Sequence, residues 1–313
     1  PVLSAPNGQQ IDQALDGLGF MVSIDFYINE TTQHADIILP PTSALEHDHY
    51  DIAFHRLAVH NTARFNEPVF EPAAGTLHDW EIFNGLGQAI AAHKGIEVKS
   101  LPSPDKMVDM GIQRGPYGAA AGHELELTLD KIKQHPHGLD IGPLAPSLPE
   151  RLCTADGKIT LVADYITKDL KRLGADKATT EADELLLIGR RHIRSNNSWL
   201  HNSHRLVKGK PRWQLLMHPE DLAAHKLEDQ GQVRITSRVG EVVTQVVASD
   251  EVMPGVVSLP HGWGHKRAGV SMAIAGQQEG VSCNDLTDDK LVDQISGNAA
   301  LNGVPVRIFA VQA

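Results

Sequence analysis

Gln232 to Ala248 reads QVRITSRVGEVVTQVVA, and this stretch decides how the C-terminal half is built. Its two flanks, 232–237 and 241–248, are rich in Val, Ile and Thr and read as strands. Val239-Gly240 between them is a tight turn, so the pair is a hairpin. Outward from the hairpin, Glu184 to Gly189 (ELLLIG), Trp213 to Met217, Gly255 to Leu259 and Val304 to Val311 read as further strands. His218-Pro219-Glu220-Asp221-Leu222 starts a short helix, with Pro219 near its first position, where a missing N–H does no harm. Six strands with few helices predict a small β-barrel over residues 183–313.

The first half has a different texture. Gly19 to Asp25 (GFMVSID) and Ala35 to Leu39 (ADIIL) are short apolar runs of the kind buried in a parallel sheet. Pro40-Pro41 ends the second, because proline cannot donate to a ladder. From Leu77 to His93 the apolar residues Trp80, Ile82, Phe83, Leu86, Ala89 and Ile90 form a helical stripe entered through Asp79. Short helices are expected near Pro104–Gln113 and Thr128–Gln134, and a last one over Ile159–Gly174. Strand and helix alternate, so residues 1–138 are read as an α/β portion. Gly138 to Gly157, rich in Gly and Pro, reads as an extended linker. The domain expectation is therefore 1–138, a linker with a helix over 139–182, and the barrel at 183–313.

Composition narrows the function. The 313 residues carry 28 Lys+Arg against 39 Asp+Glu, a net charge of −11, with 17 His and 2 Cys. Such acidity argues against non-specific binding to nucleic acid or an anionic membrane, without forbidding a local basic pocket for a phosphate. Cys153 and Cys283 form no CxxC pair. A disulfide scaffold, a zinc ribbon or an iron–sulfur cluster held by this chain alone is excluded on that ground. No apolar run reaches the ~20 residues of a membrane span. The opening PVLSAPN has no initiator Met, signal peptide or basic leader, and the chain is expected to be a piece of something longer.

Four stretches carry chemistry. Asp25, in Asp25–Pro40 (DFYINETTQHADIILP), follows a strand at the end where open α/β sheets bind ligands; a turn aspartate is the alternative. Its carboxylate can accept two hydrogen bonds from an edge such as guanine N1–H and N2–H. Glu46–His60 (EHDHYDIAFHRLAVH) offers His47, His49 and His55 as a candidate zinc set, against the plainer reading of a solvated loop. Gly189–His204 (GRRHIRSNNSWLHNSH) sets Arg190, Arg191 and Arg194 beside Ser195, Asn196, Asn197 and Ser198. Guanidinium forks, hydroxyls and loop N–H groups are what a pyrophosphate needs; a surface loop pairing with acids is the alternative. His261-Gly262-Trp263-Gly264-His265 and Val281–Thr287 (VSCNDLT) place small residues beside flat rings. That arrangement suits a heterocycle approaching the backbone, and Asn284 can both donate and accept.

Together these stretches resemble the molybdopterin oxidoreductase family, the dimethyl-sulfoxide-reductase superfamily, in its C-terminal portion. DFYINETTQHADIILP resembles its strand-loop-strand element, HDWEIFNGLGQAI its following helix and LDIGPLAPSLPERL its inter-domain linker. LLLIGRRHIRSNNSW through HPEDLAAHKLEDQGQVRITSRVGEV to CNDLT and SGNAALNGVPVRI resembles the molybdopterin dinucleotide-binding domain. The resemblance implies a partial Rossmann-like α/β portion and a six-stranded double-psi β-barrel. It implies a molybdenum or tungsten oxidoreductase, formate dehydrogenase- or nitrate reductase-like, binding two molybdopterin guanine dinucleotides. Gly189, Arg190, Arg191, Ser195, Asn196 and Ser198 would line the phosphate and pterin region. Asp25 and Asp79 would contact nucleotide portions, and Asn284 another polar edge. His47 stands where several relatives have Lys, and His261 is a further cofactor-binding candidate.

The family's cluster cysteines, metal ligand and substrate funnel lie in N-terminal parts with no counterpart in these residues, so no catalytic residue is named. A 4Fe–4S cluster is expected only in those parts, and no metal ligand is assigned to this chain. The partners expected are the rest of a parent enzyme and a small-molecule substrate, in the cytoplasm, with the isolated chain inactive. A non-catalytic binding or assembly module on the same scaffold is the alternative.

Overall fold

The computed structural model describes residues 1–175, 181 and 183–311. The linker expectation at 176–180 and 182 lies outside them. The chain divides into two compact units: residues 1–23, 27–38 and 160–313, and residues 24–26 and 39–159. This division does not follow the boundaries expected at 138 and 183. The first 38 residues belong almost entirely with the barrel, because loop groups there bond into it: Asn7 N–H donates to Thr287 O at 2.9 Å.

The chain opens with α1 (Gly8–Asp16), then the paired strands β1 (Val22–Ile24) and β2 (Ile37–Leu39). The second unit holds β3 (His49–Tyr50), β4 (Asn61–Ala63), β5 (Phe65–Asn66), α2 (Asp79–His93), α3 (Pro104–Arg114), α4 (Leu129–Lys133) and β6 (Leu139–Gly142). Its core is small: Ala63, Phe65, Leu127, Leu129 and Ile132, with Val108 and Ile112 of α3 against them. Its strands form two-stranded antiparallel pairs, β3 with β5 and β4 with β6. Among the described residues this unit shows no wider parallel sheet. The two runs expected as buried parallel strands, 19–25 and 35–39, form instead the two-stranded pair β1 and β2, half-buried at most. The start of the expected linker is likewise structured, since Leu139–Gly142 pairs with β4 and buries against that core. Helix α2 starts at Asp79, and Glu81 accepts from the His78 N–H at 2.9 Å to close its first turn.

After α5 (Asp164–Ala175) come β7 (Leu185–Arg190), α6 (His204–Val207), β8 (Leu215–Met217), α7 (Pro219–Ala224), β9 (Gln232–Thr236), β10 (Glu241–Ala248), β11 (Val256–Pro260) and β12 (Val304–Ala310). The six strands close into a barrel in the order β10-β8-β11-β7-β12-β9. The pairs β10–β8 and β11–β7 are parallel; the other four are antiparallel. Alternation explains the closure. Val233 and Ile235, Val242 and Val246, and Val304, Val306 and Ile308 all turn inward, where Leu187, Leu215, Met217, Val257 and Leu259 meet them. The hairpin turn is made as its sequence predicts, with Ser237 N–H donating to Gly240 O at 2.9 Å. Pro219 opens α7, and His218 caps it by accepting from Glu220 N–H. No helix among the described residues is long and apolar enough to cross a membrane.

Candidate functional site

Strand β7 delivers Gly189 and Arg190 in the sheet and then releases the chain into the basic loop. Gly189 N–H donates to Asn302 Oδ1 at 2.8 Å. Arg190 pairs with Pro260 across the parallel ladder. Its guanidinium turns inward and donates to the carbonyls of Ser258 (3.0 Å), Gln214 (2.8 Å) and Arg212 (3.4 Å). This arginine is spent on β11 and on the segment just before β8, which corrects its expected place on a phosphate.

Arg191 differs. It is exposed and hydrogen-bonds Asn197 Oδ1. With His192, Ile193, Ser195, Asn196, Asn197, Leu200 and His261 it walls a cavity of about 570 Å³, within the range of small-molecule sites. Ser198 lies in the same loop but outside the wall. Asn196 and Asn197 both adopt left-handed backbone (φ 40° and 63°), a conformation asparagine tolerates best among residues with a side chain. Among the described residues, the N–H groups of Asn196, Asn197 and Ser198 have no acceptor. Successive free N–H groups beside a guanidinium are the donor set of an anion site.

The glycines of the 261–265 loop act differently from expectation. Gly262 sits at φ +87°, and a Cβ there would lie 2.1 Å from Asn197 O. At Gly264 it would lie 2.7 Å from Ser282 N. What approaches these glycines is the protein's own backbone rather than a flat ligand. His261 is buried, and burial together with Arg191 pushes its pKa below the usual imidazole range. His192 is pushed the same way, by desolvation and then by Arg212, Arg194 and Arg190. Both rings are thus neutral in a positive field.

Asn284 is 1% exposed, donates to Leu3 O at 2.8 Å and accepts from Thr287 Oγ1 at 2.9 Å. Its amide ties the N-terminal segment to the barrel, a correction to its expected polar edge. In the other unit, His47 and Asp79 do come together, Nε2 to Oδ2 at 4.0 Å. His47 Nε2 also meets Thr42 Oγ1 at 2.6 Å, and His78 Nδ1 meets the same hydroxyl at 2.7 Å. Asp25, half-buried, follows directly on β1. The candidate zinc set separates: His55 Nε2 meets Thr62 Oγ1 at 2.6 Å, and His49 lies in β3 opposite Asn66. Among the described residues no three His, Cys, Asp or Glu side chains converge on a metal position.

Sequence reasoning undervalued Asn197, which lines the cavity, and Gly262, which packs against the Asn197 carbonyl. The Asn196-Asn197 doublet, a signal for left-handed turns, could have found the first. It missed a buried trio, Glu30, His265 and His201, for want of any local pattern linking residues so far apart.

The sequence model described as molydopterin dinucleotide binding domain matches residues 185–305, and that described as molybdopterin oxidoreductase matches residues 1–89. A probable oxidoreductase YoaE of Bacillus subtilis is 25% identical over 97% of this chain and 42% of its own length. The assimilatory nitrate reductase catalytic subunit of the same organism is 24% identical over 84% of the chain and 36% of its length. The solved acetylene hydratase from Pelobacter acetylenicus superposes on 99% of the chain and 43% of its own, with a TM-score of 0.71 at 17% identity. The chain thus spans about two fifths of the length of these relatives.

Proposed function

Because this chain belongs to the molybdopterin oxidoreductase family, we propose that it is the part of a molybdenum- or tungsten-dependent oxidoreductase that clasps a molybdopterin guanine dinucleotide. The observation that carries this reading is the cavity of about 570 Å³ beyond β7, where Arg191 and a run of unpaired N–H groups meet. The residues present fit an anionic dinucleotide. The acidic chain is locally basic there, and Gly262 lets its turn pack on the carbonyl of the wall residue Asn197 without side-chain obstruction.

When bound, the metal dithiolene supplies the redox chemistry; the protein supplies placement and electrostatics. Arg191 would hold phosphate through its planar fork. Ser195 and Asn196 would orient the adjoining group, and neutral His261 would offer one donor and one acceptor. Described by itself, the other unit offers the carboxylates of Asp25 and Asp79 for nucleotide edges, with His47 beside Asp79. Arg190, Gly189 and Asn284 would act only by holding the barrel beneath. A 4Fe–4S cluster needs four ligands and this chain has two Cys, so other polypeptide of the same enzyme would hold one. The named relatives act on unlike molecules, nitrate and acetylene. The shared element is cofactor binding, and the proposal extends that far.

Arg191→Glu tests it. In protein purified from cells that make the cofactor, acid-released guanosine monophosphate per chain should fall at least roughly tenfold in this variant, as expected for loss of a charge-assisted contact. Equal nucleotide content in the variant, or none in the unaltered protein, would overturn the clasp.

A further inference from the structure

Glu30, His265 and His201 are three titratable side chains with at most 4% of their surface exposed, lined up in one hydrogen-bonded chain. Glu30 Oε1 lies 2.7 Å from His265 Nδ1, and His265 Nε2 lies 2.8 Å from His201 Nδ1. The trio is firmly set. Asn29 Oδ1 accepts from the N–H groups of Thr31 and Thr32 to shape the turn bearing Glu30. Ser271 N–H donates to Ile28 O at 2.8 Å, joining that turn to the loop bearing His265. The His201 ring stacks on Trp263 with centroids 4.0 Å apart. The far end of the chain, His201 Nε2, is buried without a hydrogen-bond partner among the described residues.

Counting protons separates two states. With one proton on each imidazole, Glu30 accepts from His265 Nδ1–H, and His265 Nε2 accepts from His201 Nδ1–H. The trio then has charge −1, and a bare, buried lone pair remains on His201 Nε2. With one proton more, His265 carries both N–H groups against the Glu30 carboxylate and donates to His201 Nδ1. His201 then bears its single proton on Nε2, and the trio is neutral. Burial favours the state without net charge.

We propose that Glu30, His265 and His201 hold this one additional buried proton, and that it makes His201 Nε2 the donor that fastens the Gly262 turn, which packs against Asn197 of the cavity wall. Moving between the states makes and breaks only N–H bonds. A proton taken up at Nε2 sends the Nδ1 proton to His265 Nε2, and the charge goes from −1 to 0. The other groups acting on His201 agree with a ring that is not itself charged. Burial, then His265, with Arg212 and His261 behind them, push its pKa down to about 3, while the Gly262 carbonyl opposes them. The three are positioning residues for the loop and do not depend on which ligand fills the cavity.

Histidine-selective ¹⁵N NMR of the 313-residue chain at pH 7 reads the protons directly. His265 should show two protonated nitrogens, and His201 a protonated Nε2 with an unprotonated Nδ1. A His201 protonated at Nδ1 beside a singly protonated His265 would overturn the proposal. Glu30→Gln removes the charge but keeps the shape. It should return His265 to one proton and speed amide exchange at Trp199–His201, whose N–H groups are bonded within the loop, roughly tenfold, the worth of one charge-assisted hydrogen bond, while β9 and β10 stay protected. Unchanged exchange in the loop would refute the coupling to Gly262. If the variant fails to fold, the native spectrum alone decides. None of these readouts involves nucleotide, so failure here is distinct from failure of the dinucleotide clasp.

Discussion

Arg190 and Arg191 are neighbours of one residue type with opposite fates, because β7 ends at Arg190 and Arg191 already belongs to the exposed loop. Arg190 braces three carbonyls inside the barrel unit, while Arg191 faces the cavity. Arg190→Ala leaves those carbonyls without their donor and should cost about 2–4 kcal/mol in urea unfolding. Arg191→Ala should stay within about 0.5 kcal/mol, since the group is exposed. Equal losses would show that the two arginines share one role. The basic loop was legible from residues 189–198, yet which arginine points outward was not. That choice follows from where β7 ends in the barrel, a fact of pairing with β11.

At the scale of elements, the barrel strands were readable because each side is either core or solvent. In β9, β10 and β12, Val and Ile alternate with polar residues, so the period of two survives in the sequence. One residue breaks the rule. Thr244 of β10 is buried, and its Oγ1 has no partner among the described residues. Thr244→Val removes that unpaired hydroxyl at nearly constant shape and should raise stability by about 1 kcal/mol in chemical denaturation. A loss of stability would mean that the hydroxyl has a partner, such as a bound water. The first-half strands were less legible. Runs such as GFMVSID are apolar enough for a buried parallel strand, but only Val22–Ile24 forms β1, and the portion packs as short pairs. Periodicity alone does not settle the length of short apolar runs.

Across the whole molecule, ion pairs fasten the N-terminal segment and the 285–289 region to the barrel unit. Arg267 bridges Asp12 of α1 and Asp285, and Arg238 bridges Asp288 and Asp289. The Arg238 guanidinium, bonded to Asp288, holds that carboxyl below the usual range. A depressed carboxylate contributes stability that is fully present above its unfolded value, near pH 3.9, and is lost as pH falls through the lower folded value. Because Arg238 is half exposed, solvent screens the pair and its contribution is small. Asp288→Asn should therefore lower the urea midpoint slightly at pH 7, and the gap to the unaltered protein should narrow as pH falls below about 3.9. A gap that does not narrow in acid would assign the loss to packing instead.

The sequence by itself determined the six barrel strands, the hairpin, the helices at 79–93 and 104–114, the basic loop and the family. Each is written locally, in side-chain period, turn residues or short runs of charge. Only the tertiary structure decided that Arg190 is a brace, that Asn284 is spent on Leu3, that the glycines of 261–265 admit backbone, and that Glu30 meets His265 and His201. Those outcomes depend on barrel closure, which brings together groups up to 281 positions apart. No local pattern records which buried polar atom will find which partner.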